Sequence, residues 1–306
     1  MSEVILNKEN MSDVVLTEKK EQKMNKNVKE KPVKGVFSKV IFYTVFIIFT
    51  GLTILPLVWL GYSSFKPKIE IWRHGLALPK NPTIQNYIGA WRIGHMGQYM
   101  INSFIYTTVS TGVLIIFCMM VAFAFTKIKY KIITPILYYT FLMGLLITIQ
   151  AIIVPLFIFE IRVGLLDTYL GLIIAYIAIQ LPLSIYLATE YVKGIPDSII
   201  ESAKIDGASY FQIFLKIIFP MCKPVIATIA IIAILFYWNE FFLAYILTSS
   251  HATRPLSVGV YMFSGPLAIE YGLQLAALVI AFLPILVVYM IFHKQVTKGL
   301  VAGAIK

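Results

Sequence analysis

The sequence predicts an all-α integral membrane protein with six transmembrane helices. Three observations carry this. The 306 residues are 59% hydrophobic and only 13% charged, against about 45–50% apolar and about 25% charged in a soluble domain. Six long apolar runs, roughly 40–63, 100–125, 133–159, 169–192, 225–247 and 271–293, contain no Lys or Arg in their interiors. The basic residues also divide unequally between alternate connecting segments.

About 20 apolar residues at ~1.5 Å each cross ~30 Å of hydrocarbon, so each run is long enough to span. In lipid every backbone polar group must be satisfied within the fold, which leaves helices or closed barrels. Barrel strands alternate over about ten residues; these runs are longer and continuous. Pro56, Pro135, Pro155, Pro182 and Pro284 fall inside them. Membrane helices tolerate such breaks where neighbours re-satisfy the freed carbonyls.

Orientation follows from Lys and Arg. Residues 1–39, the 126–132 and 193–224 loops and the segment after Phe292 hold 19 of the 26 basic residues; the 64–98, 160–168 and 248–270 loops hold 7. The first set belongs in the cytoplasm, with both termini. The net charge of +11 is thus a topology signal rather than a nucleic-acid surface. Residues 1–39 form a cytoplasmic tail. Its first 35 are rich in Lys, Glu and Asn and read as disordered. The span that follows is too long for a cleaved signal peptide and carries no small-residue cleavage site.

Several function classes drop out. Cys118 and Cys222 form neither a disulfide framework nor a CxxC pair. The chain lacks a P-loop, an HExxH and a GxSxG motif, so it has no ATP cradle of that type and none of the commonest hydrolase signatures. His74, His95, His251 and His293 have no metal-ligand spacing. The spans hold no Asp, which argues against an intramembrane aspartyl enzyme.

The 193–224 loop reads KGIPDSIIESAKIDGASYFQIFLKIIFPMCKP. Pro196 and Asp197 start a helix, proline suiting the first turn and the acid its dipole. Gly207 sits where that helix stops and bends. Ser209 with Gln212 is a capping-box pair opening a second helix, which carries Phe211, Phe214, Leu215 and Ile218 along one side. The prediction is a surface elbow presenting Glu201, Lys204 and Asp206 to the cytosol. Its small residues Ser202, Ala203, Gly207 and Ala208 form a notch suited to a partner protein. The same pattern also fits an amphipathic loop lying on lipid.

The spacing Glu201-Ser202-Ala203-x-x-x-Gly207, nine residues, then Ile217-x-Phe219-Pro220 resembles the EAA loop of ABC importer permeases. Ser202 replaces an alanine of that pattern and Phe219 a leucine. Pro82-Thr83-Ile84-Gln85-Asn86-Tyr87, Asn102-Ser103, Trp238-Asn239-Glu240-Phe241 and the 298–304 segment occur in the order found in the second permease of maltose-type carbohydrate importers. The resemblance implies the type I (MetI-like) permease bundle over residues 40–293, with a coupling loop at 193–224 and a cytoplasmic tail at 294–306. It implies a partner permease, two ATPase subunits that bind ATP and Mg, an extracytoplasmic solute-binding protein, and no cofactor or catalysis in this chain. Glu201, Ser202, Ala203, Asp206, Gly207 and Ala208 are the implied ATPase-docking residues. The tail from Lys298 either touches the ATPase or frays.

Polar groups within the spans are candidate pathway residues: Gln150, Gln180, Tyr237, Asn239 and Glu240. Amides and aromatic faces suit a polyhydroxyl solute, and helix–helix hydrogen bonding accounts for the same residues. The spans offer no cation for a phosphate cargo. A sugar is therefore the leading solute, with a polyol, glycerol phosphate or an amino acid as alternatives and a stand-alone channel or carrier as the remoter one. Trp72, Tyr87, Trp91 and Tyr99 in or beside the first outer loop fit either contact with the binding protein or an interfacial aromatic belt.

Overall fold

The computed structural model describes residues 36–128, 132–264 and 270–304, with side chains for 39–128, 132–264 and 270–290. The expected disorder of residues 1–35 lies outside the described residues. Those described are helical throughout their regular structure and contain no strand. Four helices are long and apolar enough to cross a membrane, or six if each of two bent pairs is one span.

The helices are α1 (Val36–Ser63), α2 (Lys68–Arg73), α3 (Gln85–Arg92), α4 (Met96–Phe123), α5 (Ile133–Met143), α6 (Ile149–Val163), α7 (Tyr169–Lys193), α8 (Asp197–Ile205), α9 (Tyr210–Ile213), α10 (Lys223–Asn239), α11 (Phe242–Leu247), α12 (Leu256–Tyr261) and α13 (Tyr271–Ala304). Residues 1–58 and 59–306 form separate units. In the first, the described side chains are exposed from Val40 to Phe49 and from Leu52 to Val58, as suits a helix whose solvent is lipid.

The second unit is built around α4 and α7, with α10 packed on both and α13 on α10. Lipid supplies no hydrophobic drive for helix association, so close backbone approach through small residues does the work. The buried face of α4 includes Asn102, Ser103, Thr107, Ser110 and Thr111 among larger residues such as Tyr106 and Met119; that of α7 includes Gly171, Ala175, Ser184 and Ala188. Tyr106, Tyr176 and Tyr237 fill the layer between the three helices.

Two expected spans are broken. The third runs as α5 and a 3-10 turn (Gly144–Leu146), then turns through 104° into α6. Gly144 lies against Pro182, where a Cβ would approach the ring to 2.8 Å. Ile147 and Thr148 are extended and end the helix there. The fifth expected span stops at Asn239: Glu240 takes an extended backbone and α11 follows. At its N-terminal end α10 meets the preceding segment at 75°, where Pro224 removes a first-turn donor. The second span runs longer than expected, because α4 continues through a π-helical turn, Ala124–Ile128. The backbone beyond residue 293, expected as a separate tail, stays helical to Ala304.

Candidate functional site: the 193–224 elbow

The 193–224 segment folds as the sequence predicts, a helix, a glycine bend and a second helix. Pro196 holds an extended backbone before α8, and Asp197 lies in the first turn. Ile200 and Ala203 are buried, whereas Glu201, Ser202, Lys204 and Ile205 face outward. The helix ends in a Schellman motif. Gly207 N donates to Lys204 O at 3.0 Å and Ala208 N to Ala203 O at 3.0 Å, with Gly207 at φ +79°. That left-handed geometry is why glycine stands here. The capping box then forms as expected: Ser209 N donates to Gln212 Oε1 at 2.9 Å, and Gln212 N to Ser209 Oγ at 3.3 Å.

The second arm is α9, a π-helical turn (Phe214–Ile218) and a last turn (Phe219–Met221). The four apolar residues expected on one side divide. Phe214 and Ile218 are buried, while Phe211 and Leu215 are exposed, because the π turn rotates the register. Phe214 meets Phe123 of α4 at 5.6 Å between ring centroids, and Tyr210 meets the same ring at 6.4 Å. Lys204 Nζ donates to Tyr210 Oη at 2.7 Å and lies 4.4 Å from that ring's centroid, tying the two arms across the bend. Of the six expected docking residues, Glu201, Ser202, Asp206 and Gly207 are exposed, Ala208 is half-buried and Ala203 is buried.

The five expected pathway residues separate into two groups. Gln150 and Asn239 are exposed, Asn239 donating from Nδ2 to Leu235 O at 2.7 Å. Gln180, Tyr237 and Glu240 are buried within the chain's own bundle. Tyr237 stacks on Tyr176, centroids 5.1 Å apart at 11°. Glu240 caps α11, its carboxylate accepting from Leu243 N at 2.9 Å and Ala244 N at 3.1 Å. No group of three or more His, Cys, Asp or Glu side chains is placed to hold a metal ion among the described residues.

At the end of the bundle opposite the elbow, one connection is more ordered than its sequence suggests. Asn102 Nδ2 donates to the carbonyls of Ala252 at 2.9 Å and Arg254 at 2.8 Å; Tyr106 Oη donates to Thr253 O at 2.7 Å. Leu256 N donates to Ser103 Oγ at 2.8 Å. From the other side Asp167 Oδ1 accepts from Ser249 N, Ser250 N, Ser250 Oγ and Thr253 Oγ1. Partial burial alone would raise the Asp167 pKa; those hydrogen bonds outweigh it and hold the group at about 2. His251, in this loop, pairs through Nδ1 with Tyr99 Oη, and its ring lies 4.6 Å from that of His95. The Asn102-Ser103 pair was visible in the sequence as a resemblance, but not as the clasp of a loop about 150 positions away.

Residues 97–301 match the family of binding-protein-dependent transport system inner membrane components. The multiple sugar-binding transport system permease protein MsmG of Streptococcus mutans is 32% identical over 292 residues, 94% of this chain and 100% of that protein. The diacetylchitobiose uptake system permease protein NgcG of Streptomyces coelicolor is 30% identical, over 87% of this chain and 88% of its own length. The trehalose transport system permease protein SugB of Mycobacterium tuberculosis is 31% identical, over 84% and 93%. A chain from the crystal structure of a bacterial ABC transporter importing the acidic polysaccharide alginate shares the fold, with TM-score 0.74 and 22% identity over 86% of this chain and 99% of that one. The protein belongs to the family of binding-protein-dependent transport system inner membrane components, the multi-pass permease subunits of ABC importers.

Proposed function

We propose that this chain is the second permease of a bacterial carbohydrate importer. It forms half of a heterodimeric pathway, with both termini in the cytoplasm. Two ATPase subunits bind ATP and Mg and dock on the cytosolic loops of the pair, this elbow among them, and an extracytoplasmic binding protein delivers the solute. The observation that carries this is the elbow itself. Glu201, Ser202, Asp206 and Gly207 stand exposed on a bend whose shape is set by the Schellman motif and the capping box. Charged neighbours there fix register more than they add affinity, since an exposed ion pair contributes only about 0–1 kcal/mol.

A sugar cargo is supported by relatives named for sugar uptake and by spans without Lys or Arg in their interiors. Gln150 and Asn239 are the pathway candidates left facing outward. Gln180, Tyr237 and Glu240, the other pathway candidates, lie buried within the chain's own bundle. ATP can shift the two states of the pathway only by its differential affinity for them, so the elbow must move with the ATPase and carry the spans along.

Native mass spectrometry of the tagged chain, gently extracted from its own membrane, tests the assembly. One different permease and two ATPase chains are the expected companions. A lone chain or a homo-oligomer in every detergent would overturn the reading in favour of a channel or carrier. Uptake competition among sugars and polyols then identifies the cargo.

A further inference from the structure

A lysine at the cytoplasmic end of a span ordinarily extends its ammonium into water. Lys193, at the end of α7, keeps half its side chain exposed, its Nζ paired at 2.6 Å with Glu190 on the same helix. Lys127 does not. It lies in the π-helical turn that ends α4, and its side chain is 3% exposed. Its Nζ donates to Ile195 O at 2.5 Å and to Asp197 Oδ1 at 2.7 Å. Both partners belong to the start of the elbow, just before and at the first residue of α8. A charge withdrawn from water needs such partners to offset its lost hydration, and a charge-assisted hydrogen bond is the stronger kind.

The contact occupies a particular place. Lys127, Lys193, Gly194, Pro196 and Asp197 border an open cleft of ≈ 270 Å³ between the end of α4 and the first arm of the elbow. The second arm meets α4 through apolar contact, Phe123 against Phe214 and Tyr210. The end of α4 thus holds both arms, one by rings and one by a buried ammonium. Single-turn π insertions in α-helices recur at functional positions, and here the turn brings residue 127 to the elbow.

We infer that Lys127 is a positioning residue that links the elbow to α4, so that displacement of the docked elbow is delivered to the second span. This rests on the proposed docking function and adds the route by which docking reaches the pathway. The partners of Lys127 Nζ are Ile195 and Asp197, not the exposed docking residues. Removal of Lys127 therefore leaves ATPase binding in place and uncouples hydrolysis from delivery.

The test compares the wild-type complex with its Lys127→Met and Lys127→Arg counterparts in liposomes, with the binding protein loaded with its sugar. For Lys127→Met the expected result is unchanged subunit stoichiometry and thermal midpoint, basal ATPase activity within twofold of wild type, and at least a tenfold loss of both stimulated ATPase activity and uptake. Lys127→Arg, which keeps the donor, restores most of the stimulation. Stimulation by the Met variant within twofold of wild type would overturn the link. Loss of the ATPase from that complex would also overturn it, by making Lys127 part of the docking fold. If Lys127→Met does not accumulate in the membrane, Asp197→Asn reads the same link with the lysine retained, and stimulation equal to wild type would be the refuting result. Failure of the wild-type chain to bring down any ATPase would instead refute the docking function, a separate outcome from any of these.

Discussion

Gly207 is the position where one added carbon tests the elbow most directly. Its φ of +79° lies in the left-handed region, and a Cβ built there meets nothing within 4 Å. Substitution therefore costs backbone strain and no steric clash within the chain. An L-residue in this region is disfavoured by roughly 1–2 kcal/mol, and each 1.4 kcal/mol is a factor of ten. Gly207→Ala should lower the apparent affinity for the ATPase by about five- to thirtyfold while the chain inserts normally. Asn tolerates the left-handed region better, so Gly207→Asn should be milder than Gly207→Ala despite its larger side chain. Gly207→Asp adds a second carboxylate beside Asp206 on the exposed face and should abolish transport. The assay is co-purification of the ATPase at matched membrane levels of each variant, followed by sugar uptake. Normal uptake by Gly207→Asp would sink the docking role. If Asn proved worse than Ala, the bulk of a side chain in the interface, and not strain in the bend, would be the operative cost.

Other positions give independent checks. Ser209→Ala removes the capping oxygen of the second arm, a loss of about 1 kcal/mol, and should weaken ATPase retention about fivefold in pull-downs. Glu240→Ala strands the Leu243 and Ala244 amides in the bundle, each unsatisfied group costing about 1–3 kcal/mol. The thermal midpoint should fall with sugar affinity unchanged; an unchanged midpoint with lost uptake would return Glu240 to the pathway. For Asp167 the folded value of about 2 lies below the unfolded value of ~3.9. Its contribution is therefore complete above about pH 4 and lost as pH falls through about 2. Amide protection at Ser249 and Ser250, corrected for intrinsic exchange, should fall over that window and should already be low at neutral pH in Asp167→Asn.

The elbow was legible in the sequence because its signals are local. Gly207, the Ser209–Gln212 pair and Pro196-Asp197 each specify their own backbone within one or two turns. Four of the spans were legible for the same reason, since a continuous apolar run needs only its own hydrogen bonds. The breaks at Ile147–Thr148 and at Glu240 were not. Hydropathy averages over them, and the first depends on Gly144 meeting Pro182 of another helix. Gln180, Tyr237 and Glu240 are the pathway candidates that the fold buries; polarity within a span marks function and internal packing alike, and burial is not legible in the sequence. Lys127 carried a signal, a basic residue at a span end, but that signal has a sufficient explanation in topology. The lost exposure that singles it out is a property of the fold.

The clasp around residues 252–254 grips carbonyl oxygens. Asn102 and Tyr106 hold Ala252, Thr253 and Arg254 by atoms that every amino acid possesses. The exposed side chain at 252 is therefore released from the task of keeping the loop in place and can be exchanged without unfastening it. Such a loop is a replaceable face on a fixed mount. An exchange at that exposed position leaves the grip of Asn102 and Tyr106, about 150 positions away in sequence, as it is.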